Sequence, residues 1–224
     1  MLALVGSGEY LPQMEAVDRH LLGLLKTKPH VVCLPTAAGT EGPERISYWM
    51  ELGKAHFSKL GVEVEALPVI DQPSANDPEL VVRIQQANFI YLSGGKPDYL
   101  YRTLADSLAW EAILELFNKG GVVAGCSAGA MILGAKIPGF PGLKPAFGLV
   151  SGVVIMPHFD EIPGVMVNAL RLLVRDNQTL LGIEGNTAMV GGEDGYQVVG
   201  SGGVVVWNQR GKKRFTHGQP VSWQ

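Results

Sequence analysis

The chain has 224 residues, of which 46% are hydrophobic and 17% charged, and its net charge is −3. This composition excludes a disordered chain, and the charge excludes general attraction to nucleic acid or to an anionic membrane. The length suits one α/β domain, so we treat residues 1–224 as a single domain.

Targeting and metal motifs are missing from the sequence. No apolar run approaches the roughly 20 residues of a membrane span, and Met1–Gly8 resembles a strand rather than a basic leader. Cys33 and Cys126 lie in apolar runs, so we expect buried thiols and no disulfide framework. No zinc-binding pattern is present. We therefore expect a cytoplasmic protein with no metal and no cofactor.

The first two thirds of the chain alternate apolar runs with amphipathic segments. The runs predict five buried strands, at Leu2–Val5, Val31–Pro35, Val62–Pro68, Phe89–Leu92 and Val122–Ala124. The segments between them predict helices at Met14–Leu25, Pro43–Leu60, Pro78–Gln86 and Trp110–Lys119. This order favours a three-layer α/β fold with a mostly parallel sheet flanked by helices.

The pattern changes after about residue 145. A strand-like run at Gly148–Met156 precedes an amphipathic helix at Val165–Arg175. Short strands follow at Thr187–Val190, Tyr196–Gly200 and Val204–Trp207, separated by glycine-rich turns. We expect these strands to form an antiparallel C-terminal extension of the same sheet.

The segment Gly125-Cys126-Ser127-Ala128-Gly129 has the form Gly-x-Ser-x-Gly and directly follows a predicted strand. This is the pattern of a nucleophile elbow, in which a serine sits on a tight strand-to-helix turn. The first N–H groups of the new helix would lack partners within it, so they could meet a developing negative charge. Ser127 is therefore the candidate nucleophile, and Cys126 should face the core.

A serine hydroxyl needs a base, and His158 is the best placed of the five histidines because it ends a strand-like run. Asp160, Glu161 and Glu184 are the candidate orienting acids; Glu184 also follows an apolar run. A second glycine turn, Gly94-Gly95, follows another strand and could supply an oxyanion donor beside the N–H of Ala128.

Four motifs together resemble the serine peptidase family that contains dipeptidase E and cyanophycinase. They are Ser93-Gly94-Gly95, Gly125 to Ala130, Pro157-His158-Phe159 and Gly182 to Thr187. The resemblance implies a class I glutamine amidotransferase-like, flavodoxin-like fold and a small peptide as partner. It also implies Ser127 as nucleophile, His158 as base and Glu184 as the acid, with Asp160 left open.

Departures from the family bear on the substrate. Cyanophycinases carry several arginines after the histidine, whereas Phe159 to Leu170 contains no basic residue, which disfavours cyanophycin as substrate. Lys96, after the glycine pair, and Asn186 are candidate substrate contacts, and Lys96 could pair with an acidic group. The working hypothesis is therefore hydrolysis of a small peptide or isopeptide bond through an acyl-enzyme, with cleavage after an acidic residue left open.

The residue at the elbow argues against a glutamine amidotransferase, because that class uses cysteine where this chain has Ser127. A binding or sensor protein without peptidase activity remains the alternative function. A Rossmann nucleotide site is excluded because Gly6-x-Gly8 lacks the third glycine and the acid that follows. The sequence leaves a homodimer open.

Overall fold

The computed structural model describes residues 1–139, 142–174 and 178–223. Its strands are β1 (Leu2–Val5), β2 (His30–Leu34), β3 (Glu63–Ala66), β4 (Phe89–Leu92), β5 (Val122–Cys126), β6 (Lys136–Pro138), β7 (Leu143–Pro145), β8 (Val153–Pro157), β9 (Thr179–Ile183), β10 (Thr187–Gly192), β11 (Gly195–Gly200), β12 (Gly203–Asn208), β13 (Gly211–Thr216) and β14 (Pro220–Val221). Its α-helices are α1 (Glu15–Gly23), α2 (Pro43–Lys59), α3 (Gln72–Ala75), α4 (Pro78–Gln86), α5 (Pro97–Leu104), α6 (Leu108–Asn118), α7 (Ala128–Leu133) and α8 (Gly164–Leu173).

The first sheet has eight strands in the order β14-β11-β10-β1-β5-β4-β2-β3. Its five N-terminal strands pair in parallel, as predicted, and β10, β11 and β14 add an antiparallel edge. The α/β fold class is therefore confirmed. One detail differs: β3 was expected to be buried but is an edge strand whose residues are only partly covered.

The remaining strands form a second sheet in the order β13-β12-β9-β8-β6-β7. The C-terminal extension thus divides between two sheets, because β11 completes the first sheet and β12 pairs with β9. Strands β8 and β9 are parallel, so their carboxyl ends, at Pro157 and Ile183, lie side by side. The predicted strand Gly148–Met156 begins later, at Val153.

Apolar packing covers both faces of the first sheet. One cluster joins alternate residues of the parallel strands to Met14, Val17, Leu21 and Phe57, on the side of α1 and α2. A larger cluster on the other face includes residues of α4 to α7 and of the second sheet. Helix α7 contacts β1, β5 and β8, so it links the two sheets.

The predicted helices occur with small shifts at their ends, whereas α3 and the short strands β6 and β7 were not predicted. The helix predicted at Val165–Arg175 is α8, and Arg175 lies outside the described residues. Within the described ranges, no helix has the length and apolarity needed to cross a bilayer.

Candidate active site

Ser127 stands on a sharp turn between β5 and α7. Its backbone has φ 51° and ψ −111°, an unusual conformation for a residue with a side chain. Its N–H donates to Val5 O at 3.0 Å, and its C=O accepts from Met131 N–H at 3.0 Å. These bonds fix the turn between a buried strand and the first helical turn, and the side chain stays partly exposed. Strain of this kind costs roughly 1–3 kcal/mol and is typical of functional sites.

The two glycines of the elbow are required by close backbone packing. A methyl group at Gly125 would lie 2.4 Å from the carbonyl carbon and oxygen of Gly129. A methyl group at Gly129 would lie 2.3 Å from the carbonyl oxygen of Leu92 on the neighbouring strand β4. Strand and helix can approach this closely only because both positions lack a Cβ.

His158 follows β8 of the second sheet directly, and its ring contacts Ser127, which follows β5 of the first sheet. Its Nε2 lies 2.7 Å from Ser127 Oγ, which is a short hydrogen bond. The following turn is closed by the N–H of Glu161, which donates to His158 O at 3.0 Å. Two residues from distant parts of the chain are therefore brought together in the geometry of a nucleophile and its base.

The carboxylate that faces the other ring nitrogen is that of Glu161. Its Oε2 lies 3.6 Å from His158 Nδ1, beyond hydrogen-bond distance, and 64% of its side chain is exposed. Asp160 instead accepts the N–H of Gly185 at 2.9 Å through Oδ1. Asp160 therefore anchors the loop after β9.

Glu184, which the family resemblance suggested as the acid, is bound elsewhere in this structure. Its carboxylate accepts from Arg214 Nε at 2.6 Å, from Arg214 Nη2 at 2.5 Å and from the N–H of Gly203 at 2.8 Å. The hydrogen bond from Arg214 holds the pKa of Glu184 below its usual range. The expected contact between Glu184 and His158 is absent because the bidentate pair holds the carboxylate against β12 and β13.

The glycine pair after β4 lies against the nucleophile. A methyl group at Gly94 would be 3.3 Å from Ser127 Cβ and 3.7 Å from Ser127 Oγ. The N–H of Gly94, however, donates to Glu9 Oε1 at 2.9 Å, which differs from the expectation that it serves the oxyanion. The N–H of Ala128, at the first position of α7, has no partner within the helix. Gly95, the residue after Gly94, is exposed and has φ 140°.

The sequence analysis did not identify Glu9 as a residue of the site. It is 8% exposed and lies shortly after β1, in Gly6-Ser7-Gly8-Glu9. Its Oε2 accepts from Cys126 Sγ at 3.0 Å. The available signal was an acid placed just beyond the carboxyl end of a buried strand that neighbours β5.

Cys126 is fully buried and lies in the core, as the elbow geometry predicted. Burial raises the pKa of its thiol well above the ordinary value, and the carboxylate of Glu9 adds to the rise. A thiol held protonated is a poor nucleophile, and Ser127 is the residue of this pair whose side chain reaches solvent.

The two candidate substrate contacts have structural partners. Lys96 is exposed, and its Nζ donates to Thr40 Oγ1 at 2.8 Å. Asn186 has φ 52°, and its N–H donates to Ser7 O at 3.2 Å, which ties the loop after β9 to the loop after β1. No cluster of His, Cys, Asp and Glu among the described residues could hold a metal ion.

Comparison with known sequences gives a consistent assignment. The model of Peptidase family S51 matches residues 2–199. An uncharacterized peptidase of Listeria monocytogenes is 28% identical over 59% of this chain and 67% of its own length. A cyanophycinase of Geminocystis herdmanii is 26% identical over 73% of this chain and 65% of its own length. The matched region thus spans about two thirds of these relatives.

Solved structures agree. The crystal structure of a peptidase from an acI-B1 Actinobacterium superposes with a TM-score of 0.91 and 36% identity, over 99% of this chain and 96% of that chain. A putative Peptidase E protein of Listeria monocytogenes shares the fold, with a TM-score of 0.63 and 21% identity over 89% of this chain and 98% of that chain. The resemblance stated from the motifs is confirmed: this chain belongs to Peptidase family S51, a family of serine-type peptidases.

Proposed function

We propose that this chain hydrolyses a small peptide or isopeptide bond through an acyl-enzyme formed on Ser127. The observation that carries the proposal is the 2.7 Å contact between Ser127 Oγ and His158 Nε2 on a strained strand-to-helix turn. Membership of a serine peptidase family supports the same reaction class.

The chemistry follows from the donor and acceptor roles of these groups. Neutral His158 accepts the Ser127 proton at Nε2, which places its own hydrogen on Nδ1, the nitrogen that faces Glu161. Ser127 Oγ attacks the carbonyl carbon, and the imidazolium returns the proton to the leaving amine. A water molecule, deprotonated by His158, then attacks the acyl carbon of the ester. The acid product leaves, and the imidazolium returns the proton to Ser127 Oγ. The N–H groups of Ala128 and Gly95 are the proposed oxyanion donors.

The test uses a fluorophosphonate probe, which reacts with activated serines, followed by a dipeptide library that covers α- and β-aspartyl bonds. We expect labelling of Ser127 in the wild type, none in Ser127→Ala, and a loss of at least 100-fold in labelling rate in His158→Gln. A wild type that resists the probe while folded would refute the acyl-enzyme mechanism and favour a binding or sensor role.

The orienting acid is assigned by a separate pair of variants. We propose Glu161, because its carboxylate faces Nδ1 while that of Glu184 is occupied by Arg214. The high exposure of Glu161 limits its effect, so Glu161→Gln should slow labelling by less than about 10-fold. Glu184→Gln should leave the labelling rate unchanged, because the carboxylate it removes is bound to Arg214 and not to His158. A much larger loss in Glu184→Gln than in Glu161→Gln would return the role to Glu184.

A further inference from the structure

A buried carboxylate lies directly beneath the site. Glu9 is 8% exposed, and the contacts of its two oxygens are the N–H of Gly94 at 2.9 Å and Cys126 Sγ at 3.0 Å. Among the ion pairs of the described residues, none includes Glu9. Burying a carboxylate without a cation is unfavourable, so the contacts of its two oxygens have to offset that cost.

Both partners of Glu9 are next to groups of the proposed reaction. Cys126 precedes Ser127 in the elbow, and Gly94 precedes Gly95, the proposed oxyanion donor. Gly94 also lies against the nucleophile, since a methyl group there would be 3.3 Å from Ser127 Cβ. Glu9 therefore contacts one residue in each of the two turns, Gly94-Gly95 and the elbow at Ser127, whose relative placement defines the proposed oxyanion hole.

Glu9 fixes the Gly94 end of the turn by accepting its N–H. Gly94 and Gly95 are consecutive residues of one bend, so a rotation of the Gly94 amide would also move the amide of Gly95. The N–H of Gly94 is bound to Glu9, which leaves the N–H of the exposed Gly95 as the amide of this turn that can serve an oxyanion. Without an acceptor at Glu9, the buried N–H of Gly94 would be unsatisfied, and the turn would rotate to find another partner.

We propose that Glu9 is a positioning residue that holds the Gly94-Gly95 turn so that the N–H of Gly95 faces the substrate oxygen at Ser127. This inference rests on the proposed acyl-enzyme function. Glu9 acts through its acceptor atom and not through its charge, because a negative charge behind the donor opposes an oxyanion. It takes no proton from Ser127, since its own contacts are with Gly94 and Cys126.

Two substitutions by side chains of similar length distinguish the role of the acceptor oxygen from the roles of the charge and the volume of Glu9. Glu9→Gln keeps an oxygen for the N–H of Gly94, whereas Glu9→Met fills the space and removes both oxygens. The control for general destabilisation is Ser107→Ala, which removes a buried helix cap that contacts Leu104 and Trp110. Melting temperatures and circular dichroism report whether each variant is folded.

The readout is the second-order rate of fluorophosphonate labelling of Ser127 as a function of pH. We expect Glu9→Met to label about 100-fold more slowly, the usual effect of losing one oxyanion donor, and Glu9→Gln to stay within about 5-fold of the wild type. The pH midpoint of labelling should be the same in all three proteins. Ser107→Ala should label at the wild-type rate.

Other outcomes overturn the inference. Wild-type labelling in folded Glu9→Met, equal losses in both Glu9 variants, or a shifted pH midpoint would each exclude a positioning role through the acceptor. If Glu9→Met does not fold, hydrogen exchange of the Gly94 amide decides: slow exchange in the wild type and in Glu9→Gln supports the inference, and fast exchange refutes it. An unlabelled wild type would instead refute the proposed function itself.

Discussion

The close contact between α7 and β4 makes Gly129→Ala a direct test of the elbow. The added methyl group would lie 2.3 Å from Leu92 O and 3.0 Å from Leu92 Cβ. Restoring ordinary contact requires about 1 Å of separation between the helix and the strand, because a backbone carbonyl cannot rotate away. The matched control is Gly23→Ala at the end of α1, where a methyl group meets no atom within 4 Å.

The magnitude follows from two opposing effects. Alanine gains up to about 1 kcal/mol over glycine in a helix, and both variants share this gain. Overpacking costs about 1–3 kcal/mol, and Gly129→Ala alone bears it. We therefore expect Gly23→Ala to be neutral or stabilising in urea unfolding and Gly129→Ala to be destabilised by comparison.

The catalytic consequence should exceed the loss of stability. A displacement of about 1 Å at Ser127 can cost roughly 100-fold in rate, so labelling of folded Gly129→Ala should fall by that factor. Labelling of Gly23→Ala should match the wild type. If both variants unfold at the same urea concentration and label equally fast, the backbone contact described here does not exist in solution.

Three further results are expected. Arg214→Gln should lower the free energy of unfolding at pH 7 by about 1 kcal/mol, because the side chain of Arg214 is half exposed and solvent screens its pair with the less exposed Glu184. Since the pKa of Glu184 is lowered in the folded state, that difference should shrink in urea titrations as the pH falls below about 4.3, and a constant difference would contradict it. Iodoacetamide at pH 8 should leave native Cys126 unmodified by mass spectrometry, because burial raises the pKa of its thiol, and should modify it in urea. His56→Ala should lower the free energy of unfolding by about 3–5 kcal/mol, because it leaves Asp18 buried without its 2.7 Å partner. A decrease below about 1 kcal/mol would mean that water reaches the carboxylate.

The sequence predicted local features well because they are encoded in short patterns. The five parallel strands follow from apolar runs, and Ser127 follows from a motif whose glycines permit close backbone packing. His158 was found from its position at the end of a strand. That position, and then the family resemblance, suggested it as the base for Ser127, but no local pattern showed that the two residues follow strands of different sheets.

Features that depend on the third dimension were not predictable in this way. The second sheet was missed because β6 and β7 are short and no local signal shows that β12 leaves the first sheet to pair with β9. Glu184 was chosen from its motif and its place after an apolar run, whereas Arg214, which binds it, is 30 residues away, directly after Lys212 and Lys213. Glu9 had no distinguishing neighbour in the sequence, since its partners come from other strands.

The placement of the proposed nucleophile on one sheet and of its base on the other has a consequence for how this protein loses function. Ser127 follows β5 and His158 follows β8, so their contact depends on the relative placement of the two sheets, both of which α7 contacts. A small displacement of one sheet relative to the other would separate hydroxyl and imidazole while every strand stayed intact. Reactivity should consequently disappear at denaturant concentrations or temperatures below those that melt the secondary structure.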